Sequence, residues 1–271
     1  MLIDTHSHLY FPEFKEDLNQ VLEKCVADDV TTLIAVGVDI KNSYVAMQLS
    51  SDKVTFYSTI GIHPHNAHQY LDDSKLEADL AELEKIYLEN PEKVIAVGEC
   101  GLDYMFESNP DFVPTGLTSE QLKKLQKKLF IAQMELAKKL NLPLVIHCRD
   151  AWNDCLEIAG DYFGLLHCYS GKEEITQKAL QTNYLFSFAA TLTYPKNDHL
   201  REAVKVIPLE RIVLETDCPF LPPQGKRGQR NDPTTVVEIA QLIADIKGTS
   251  FDEVAAQTTT NVQRLIQANE L

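Results

Sequence analysis

Residues 2–6, LIDTH, form a short run rich in branched apolar side chains that ends on a histidine, and an amphipathic stretch follows at 17–28. In that stretch Leu18, Val21, Leu22, Cys25 and Val26 recur at three- and four-residue spacing, the period of a helix with one buried face. The strand-then-helix unit repeats down the chain. TTLIAVG (31–37), VTFYSTIG (54–61), VIAVGE (94–99), LVIHC (144–148), LLHC (165–168), YLFSFA (184–189) and RIVLETD (211–217) are the further strands. Helix-like segments lie among them at 75–89, 119–140, 152–160 and 172–181, and 233–247 and 250–268 follow the last strand. Eight such strands in a chain of 271 residues predict a single (β/α)8 TIM-type barrel over residues 1–271, with its active site at the C-terminal ends of the strands. A doubly wound open sheet is the alternative. No GxGxxG or Walker sequence opens the first turn, which counts against it.

The composition bounds the rest. The chain is 44% hydrophobic and 24% charged, as expected of a globular protein. It has no apolar run long enough for a membrane helix and no basic-then-apolar leader, so a cytoplasmic protein without membrane association is expected. Six dispersed cysteines without a CxxC pair read as reduced thiols, not as a disulfide framework or zinc ribbon. A net charge of −15 opposes broad electrostatic binding of a polyanion, so such a substrate must be met locally by metal ions or a small basic patch. The lysines of segment 119–140 (Lys123, Lys124, Lys127, Lys128) sit opposite its apolar stripe and read as a solvated face. Nothing implies an obligate protein partner.

The histidines carry the functional signal. Of eight, His6 and His8 end the first strand, His63 and His65 follow the third, and His147 and His167 end the fifth and sixth. Glu99 ends the fourth and Asp217 the eighth. In a barrel these ends converge on one mouth. Imidazoles and carboxylates without thiolate suit zinc, manganese, nickel or magnesium in a catalytic site, and two ions sharing a carboxylate would employ the full set. Residues i and i+2 of a strand face one side, so His6 and His8 can chelate one ion. The same parity sends Cys100, Cys148, Cys168 and Cys218, each following a candidate ligand, toward the helices as packing residues. It also places Asp4 beneath His6, Glu215 beneath Asp217 and Arg149 near His147, where they would orient ligands or pair with one another.

Taken in order, IDTHSHL (3–9), GIHPH (61–65), GECGLDY (98–104), VIHCRDA (145–151), HCYSG (167–171), ETDCPFLPP (215–223) and RGQRNDP (227–233) resemble the motifs of the TatD-type deoxyribonucleases, metal-dependent hydrolases of the amidohydrolase superfamily. The resemblance spans nearly the whole chain. It implies a (β/α)8 barrel, one or two divalent ions (magnesium, manganese or zinc), and hydrolysis of phosphodiesters in single-stranded DNA or RNA from the 3′ end. It further implies that His6, His8, Glu99 and Asp217 hold one ion, and that Glu99, His147 and His167 hold the other. His63 matches an active-site histidine that touches the phosphate. On that footing Asp217, Glu99 and His63 form the catalytic set, with Asp217 orienting or deprotonating the attacking water. His63 and Arg149 would stabilise developing charge, and Lys226, Arg227 and Arg230 would meet a neighbouring phosphate. Two features depart from the family: Cys100 replaces an aliphatic residue, and the stretch 105–121 is longer than usual and could lie across the mouth. The rival readings are an amidohydrolase for a small amide, lactone or ester, including an aminoacyl-tRNA ester, and a metal-binding scaffold without turnover.

Overall fold

A computed structural model of the chain describes residues 1–267. Strands β1 (Leu2–Ser7), β2 (Val30–Ala35), β3 (Thr55–Ile60), β4 (Val94–Asp103), β5 (Leu144–Arg149), β6 (Gly164–Leu166), β7 (Leu185–Phe188) and β8 (Ile212–Leu214) form one sheet in sequence order. Every neighbouring pair is parallel. The seam is made just beyond β8, where Ser7 pairs in parallel with Cys218. There the His8 amide donates to the Cys218 carbonyl at 2.8 Å and the Asp217 amide to the His6 carbonyl at 2.9 Å. The eight expected strands and the barrel are therefore present. Strands β6 and β8 stop early, leaving His167 one residue and Asp217 three residues past their ends.

Helices α1 (Leu18–Ala27), α2 (Ile40–Gln48), α3 (Asp73–Glu89), α4 (Met105–Ser108), α5 (Ser119–Leu140), α6 (Trp152–Ala159), α7 (Glu173–Ala179), α8 (Asp198–Val206), α9 (Thr235–Lys247) and α10 (Phe251–Ile266) complete the order. Residue 268 of the expected last helix lies outside the described residues. Sequence periodicity did not find α2, whose buried positions are Ser43, Ala46 and Met47 and give little apolar contrast. The stretch 105–121 is only partly irregular: it holds α4, a 3₁₀ turn at Pro110–Phe112 and the start of α5.

An inner apolar layer gathers Ile3, Ile34, Val145, Leu165 and Val213 with Val262 and Leu265 of α10. Burying each Leu, Ile or Val contributes about 1.5–3 kcal/mol. Helix α10 closes the N-terminal end of the barrel, where Asn261 Nδ2 donates to the carbonyls of Leu209 (2.8 Å) and Ile212 (2.7 Å). The C-terminal end is left for polar side chains.

Helix α5 shapes that end. It starts on a reciprocal capping box between Thr118 and Gln121 and stops at Asn141, in the left-handed region at φ 54°. Two buried amides project from its packed face. Gln133 accepts from the Ile62 amide (2.7 Å) and donates to the Ile62 carbonyl (2.8 Å), while Gln126 accepts from the Asp103 amide (2.9 Å). Both strand ends, at His63 and Asp103, are thereby fixed to one rigid element. The lysine face is neutralised by acids: Lys123 by Glu107, Lys124 by Glu120, Lys127 by Asp154 and Lys128 by Asp73.

Candidate metal centre

Two register shifts aim the side chains. In β1 the pairing with β2 slips between Asp4 and Ser7, and in β4 the pairing with β5 slips between Val97 and Cys100. An extra residue in one strand re-aims the side chains beside it, and His6 and Glu99 lie within these two shifts. Gly101 makes the second one sterically possible. It sits at φ 136°, and a Cβ there would lie 2.0 Å from the His147 carbonyl oxygen. Strands β4 and β5 thus approach more closely than any side chain at 101 would allow.

Glu99 is the hub. Its Oε1 lies 2.7 Å from His147 Nδ1, 3.5 Å from His63 Nε2 and 3.6 Å from His167 Nε2, and its Oε2 lies 3.3 Å from His6 Nε2. Asp217 Oδ1 stands 3.3 Å from His8 Nε2 and 3.7 Å from His6 Nε2. Asp217 occupies the left-handed region at φ 55°, a conformation aspartate tolerates better than most residues and one that recurs at functional sites. His6 and His167 stack with ring centroids 3.5 Å apart. Among the described residues, three groups offer donor atoms within 4.8 Å of one another: His6–His8–Glu99, His63–Glu99–His147 and His6–His167–Glu215. The structure therefore draws His63 and Glu215 into the cluster together with His6, His8, Glu99, His147, His167 and Asp217.

A second tier of carboxylates fixes the imidazoles. Glu215 accepts from His167 Nδ1 (3.0 Å) and from the Cys168 amide (2.8 Å). Asp103 Oδ2 lies 3.1 Å from His147 Nε2 and 2.9 Å from His65 Nε2. Carboxylates in this position set the tautomer and orientation of ligating histidines. Asp103 received no role from the sequence, although period two along β4 places residues 99, 101 and 103 on one side. Asp4 does not orient an imidazole. It accepts from the His6 amide (3.2 Å), the Thr216 amide (2.9 Å) and the Thr216 hydroxyl (2.6 Å), so it ties β1 to the end of β8 and makes no hydrogen bond to the His6 ring. Burial raises the Asp4 carboxyl well above the usual range, against those bonds.

Electrostatics follow the same geometry. Burial alone would raise Glu99, but the imidazoles of His167, His63 and His6 reverse this and hold it well below the carboxylate range. Asp217 behaves alike: burial raises it, and His8, His167 and His6 bring it below its ordinary value. Both carboxyls are ionised at neutral pH. Burial keeps His63 well below the imidazole range, hence neutral. Burial, aided by His167, lowers His6. His147 is opposed by burial yet raised to about 9 by Asp103 and Glu99. His167 is raised to about 10 against burial by Glu215 and Glu99.

A divalent ion fits these residues. Neither ring nitrogen of fully buried His6 has a hydrogen-bond partner, and Glu99 Oε2 stands 3.3 Å from Nε2. Leaving a buried polar atom unpaired costs about 1–3 kcal/mol. A cation among ionised carboxylates supplies a partner, and nitrogen–oxygen donor sets of this kind suit magnesium, manganese or zinc.

The expected substrate residues are less concentrated. Arg149 is exposed, opposite Asp103 in register, and among the described residues its side chain pairs neither with Asp4 nor with Glu215. Lys226 and Arg227 are exposed beyond β8, with the Arg227 guanidinium 4.9 Å over the Tyr194 ring. Arg230 is held by Asp17 through two contacts (2.8 and 2.6 Å) and lies 4.5 Å over Phe14, which anchors the β8 loop to the segment before α1. Cys100, Cys148 and Cys218 pack in the strand–helix core as expected, whereas Cys168 is only half-buried, at φ 42°.

Comparison with known proteins identifies the family. Residues 3–267 match the family described as TatD related DNase. An uncharacterized metal-dependent hydrolase of Bacillus subtilis, YabD, is 37% identical over 99% of this chain and 100% of its own length. The 3′-5′ ssDNA/RNA exonuclease TatD of Escherichia fergusonii is 30% identical over 97% of this chain and 98% of its own. The crystal structure of the TatD homologue YjjV from Escherichia coli superposes with a TM-score of 0.84 at 25% identity, covering 97% of both chains. No helix among the described residues is long and apolar enough to cross a membrane.

Proposed function

This chain belongs to the family of TatD-related DNases, and from that premise we propose that it is a divalent-metal-dependent 3′–5′ exonuclease acting on single-stranded DNA or RNA. The observation that carries the reading is the ring of imidazoles around ionised Glu99 with the buried nitrogens of His6 unpartnered. His6, His8, Glu99 and Asp217 would hold one ion, and Glu99, His147 and His167 the second. Divalent ions, when bound, lower the pKa of a coordinated water and clamp phosphoryl oxygens.

The chain's own groups do the rest. Asp217, ionised and beside His8, accepts the proton of the attacking water. Neutral His63, 3.5 Å from Glu99, donates a hydrogen bond to the phosphate as charge develops. Glu99 supplies the negative charge shared by both halves of the centre. Arg149, Lys226 and Arg227 are free to meet flanking phosphates. Arg230 serves chiefly as the anchor of their loop, through Asp17. Residues 1–271 act as one hydrolase domain, and its six unpaired thiols suit the reducing cytoplasm.

The test is a 5′-labelled single-stranded oligonucleotide incubated with protein reconstituted with magnesium, manganese or zinc, with metal analysis of the same samples. A ladder shortening from the 3′ end is expected. Metal-loaded protein that leaves the strand intact would refute the assignment.

A further inference from the structure

Beside the metal centre lies a cavity of about 330 Å³, lined by Phe106, Phe112, Pro114, Asp103, Asp111 and His65 among others. That volume falls within the roughly 300–1,000 Å³ usual for small-ligand sites. The inserted stretch after β4 builds one side and α5, through Leu122 and Gln126, the other. The stretch is fastened at several points. Tyr104 Oη donates to Asp154 (2.8 Å), Lys123 pairs with Glu107 (2.5 Å), and the Leu117 amide donates to the Pro114 carbonyl (3.1 Å).

The cavity adjoins the reactive site through single residues. Asp103 lines it and also contacts His147 at 3.1 Å. His65 lines it, and its ring lies 4.4 Å from that of His63. Its chemistry is selective. No lysine or arginine is among the lining residues, Asp103 is engaged by His65 and His147, and Asp111 adds a further carboxylate, so a phosphate finds no guanidinium or ammonium partner there. A flat, neutral group carrying N–H donors is favoured instead: the exposed ring of Phe112 can stack on it, above a floor that includes buried Phe106, and Asp111 can accept from it. Phe112 is 51% exposed, an apolar surface that such a group would cover.

We propose that this cavity receives the base of the 3′-terminal nucleoside of a single strand while the adjoining phosphodiester lies at the metal centre. The proposal rests on the nuclease reading above and adds to it the reason for attack at an end. A cavity without a lysine or arginine to pair a backbone phosphate suits the terminal nucleoside better than a continuing strand.

The experiment compares two oligonucleotides of one sequence, one with an ordinary 3′-terminal nucleoside and one with an abasic terminal residue. First-cleavage kcat/KM is measured for the metal-loaded wild type and for Phe112→Ala, with thermal melts to verify folding. The wild type should prefer the ordinary end by roughly 5- to 150-fold, the range one base–aromatic stack supplies. In Phe112→Ala that ratio should collapse toward one. Equal wild-type rates on both ends would overturn the proposal, and so would a preference that survives unchanged in the variant. Hydrolysis of bis(p-nitrophenyl) phosphate by the wild type separates the two levels of inference. Turnover of that small diester with no cleavage of either oligonucleotide removes the nuclease reading, and the pocket assignment with it. Cleavage of both strands without regard to the terminal base removes the pocket assignment alone.

Discussion

Replacing Asp217 by Asn tests the chemistry most directly. The side chain keeps its size and one neutral oxygen, and asparagine tolerates the left-handed φ of 55° found there. The local backbone bonds, from the Asp217 amide to His6 (2.9 Å) and from the Phe220 amide to Asp217 (2.9 Å), do not involve the carboxylate. The fold should therefore survive. What is lost is a charge held ionised by His8, His167 and His6 against the effect of burial, and with it the proton acceptor. Removing a general base costs 10²- to 10⁴-fold in rate, about 2.7–5.4 kcal/mol of barrier at 1.36 kcal/mol per decade. His147, His167 and Glu99 are untouched, so at least one ion should remain. Single-turnover cleavage of a labelled oligonucleotide, with metal analysis of the same protein, measures both quantities. Cleavage near the wild-type rate would refute the role of Asp217 as base. Loss of all bound metal would show that its first role is to build the centre.

Four further perturbations bear on separate parts of the argument. Asp103→Asn weakens the carboxylate behind His147 and should lower metal affinity by about 10- to 100-fold in a chelator competition; unchanged affinity would show that His147 needs no such support. Gly101→Ala forces a Cβ to 2.0 Å from the His147 carbonyl oxygen and should cost at least about 1–3 kcal/mol in urea unfolding, as other overpacked positions do; an unmoved midpoint would contradict the close approach of β4 and β5. Lys226→Ala should reduce the salt slope of oligonucleotide binding by about 0.7, the value for one phosphate contact on a single strand, and an identical slope would leave that lysine without a phosphate. Exhaustive chelation should abolish cleavage and re-addition of magnesium, manganese or zinc should restore it, while full activity in metal-free protein would remove the metal from the reaction.

The barrel was legible in the sequence because strand and helix patterns are local. Runs such as LVIHC and the stripe of α5 state their periods within a few turns, and eight repetitions leave few topologies that could bury them. Convergence of His6, His8, His63, Glu99, His147, His167 and Asp217 followed from the same count, since parallel strands bring like ends to one rim. Alternation put Asp103 on the side of Glu99 but could not say which imidazoles it would meet, and it could not show that Asp4 would bond to Thr216 and not to an imidazole. Register shifts in β1 and β4 beside His6 and Glu99 likewise depend on the pairing of two strands, which no single segment encodes. The glutamines of α5 that hold His63 and Asp103 were hidden for the same reason. Their partners are backbone groups some 23 and 71 residues away in the chain. The candidate ligands were thus written in residue type and strand position. Tertiary structure alone decided which carboxylate backs which histidine, that Arg230 is occupied by Asp17, and that the inserted stretch encloses a cavity, because each depends on distances between segments that meet only when the barrel closes.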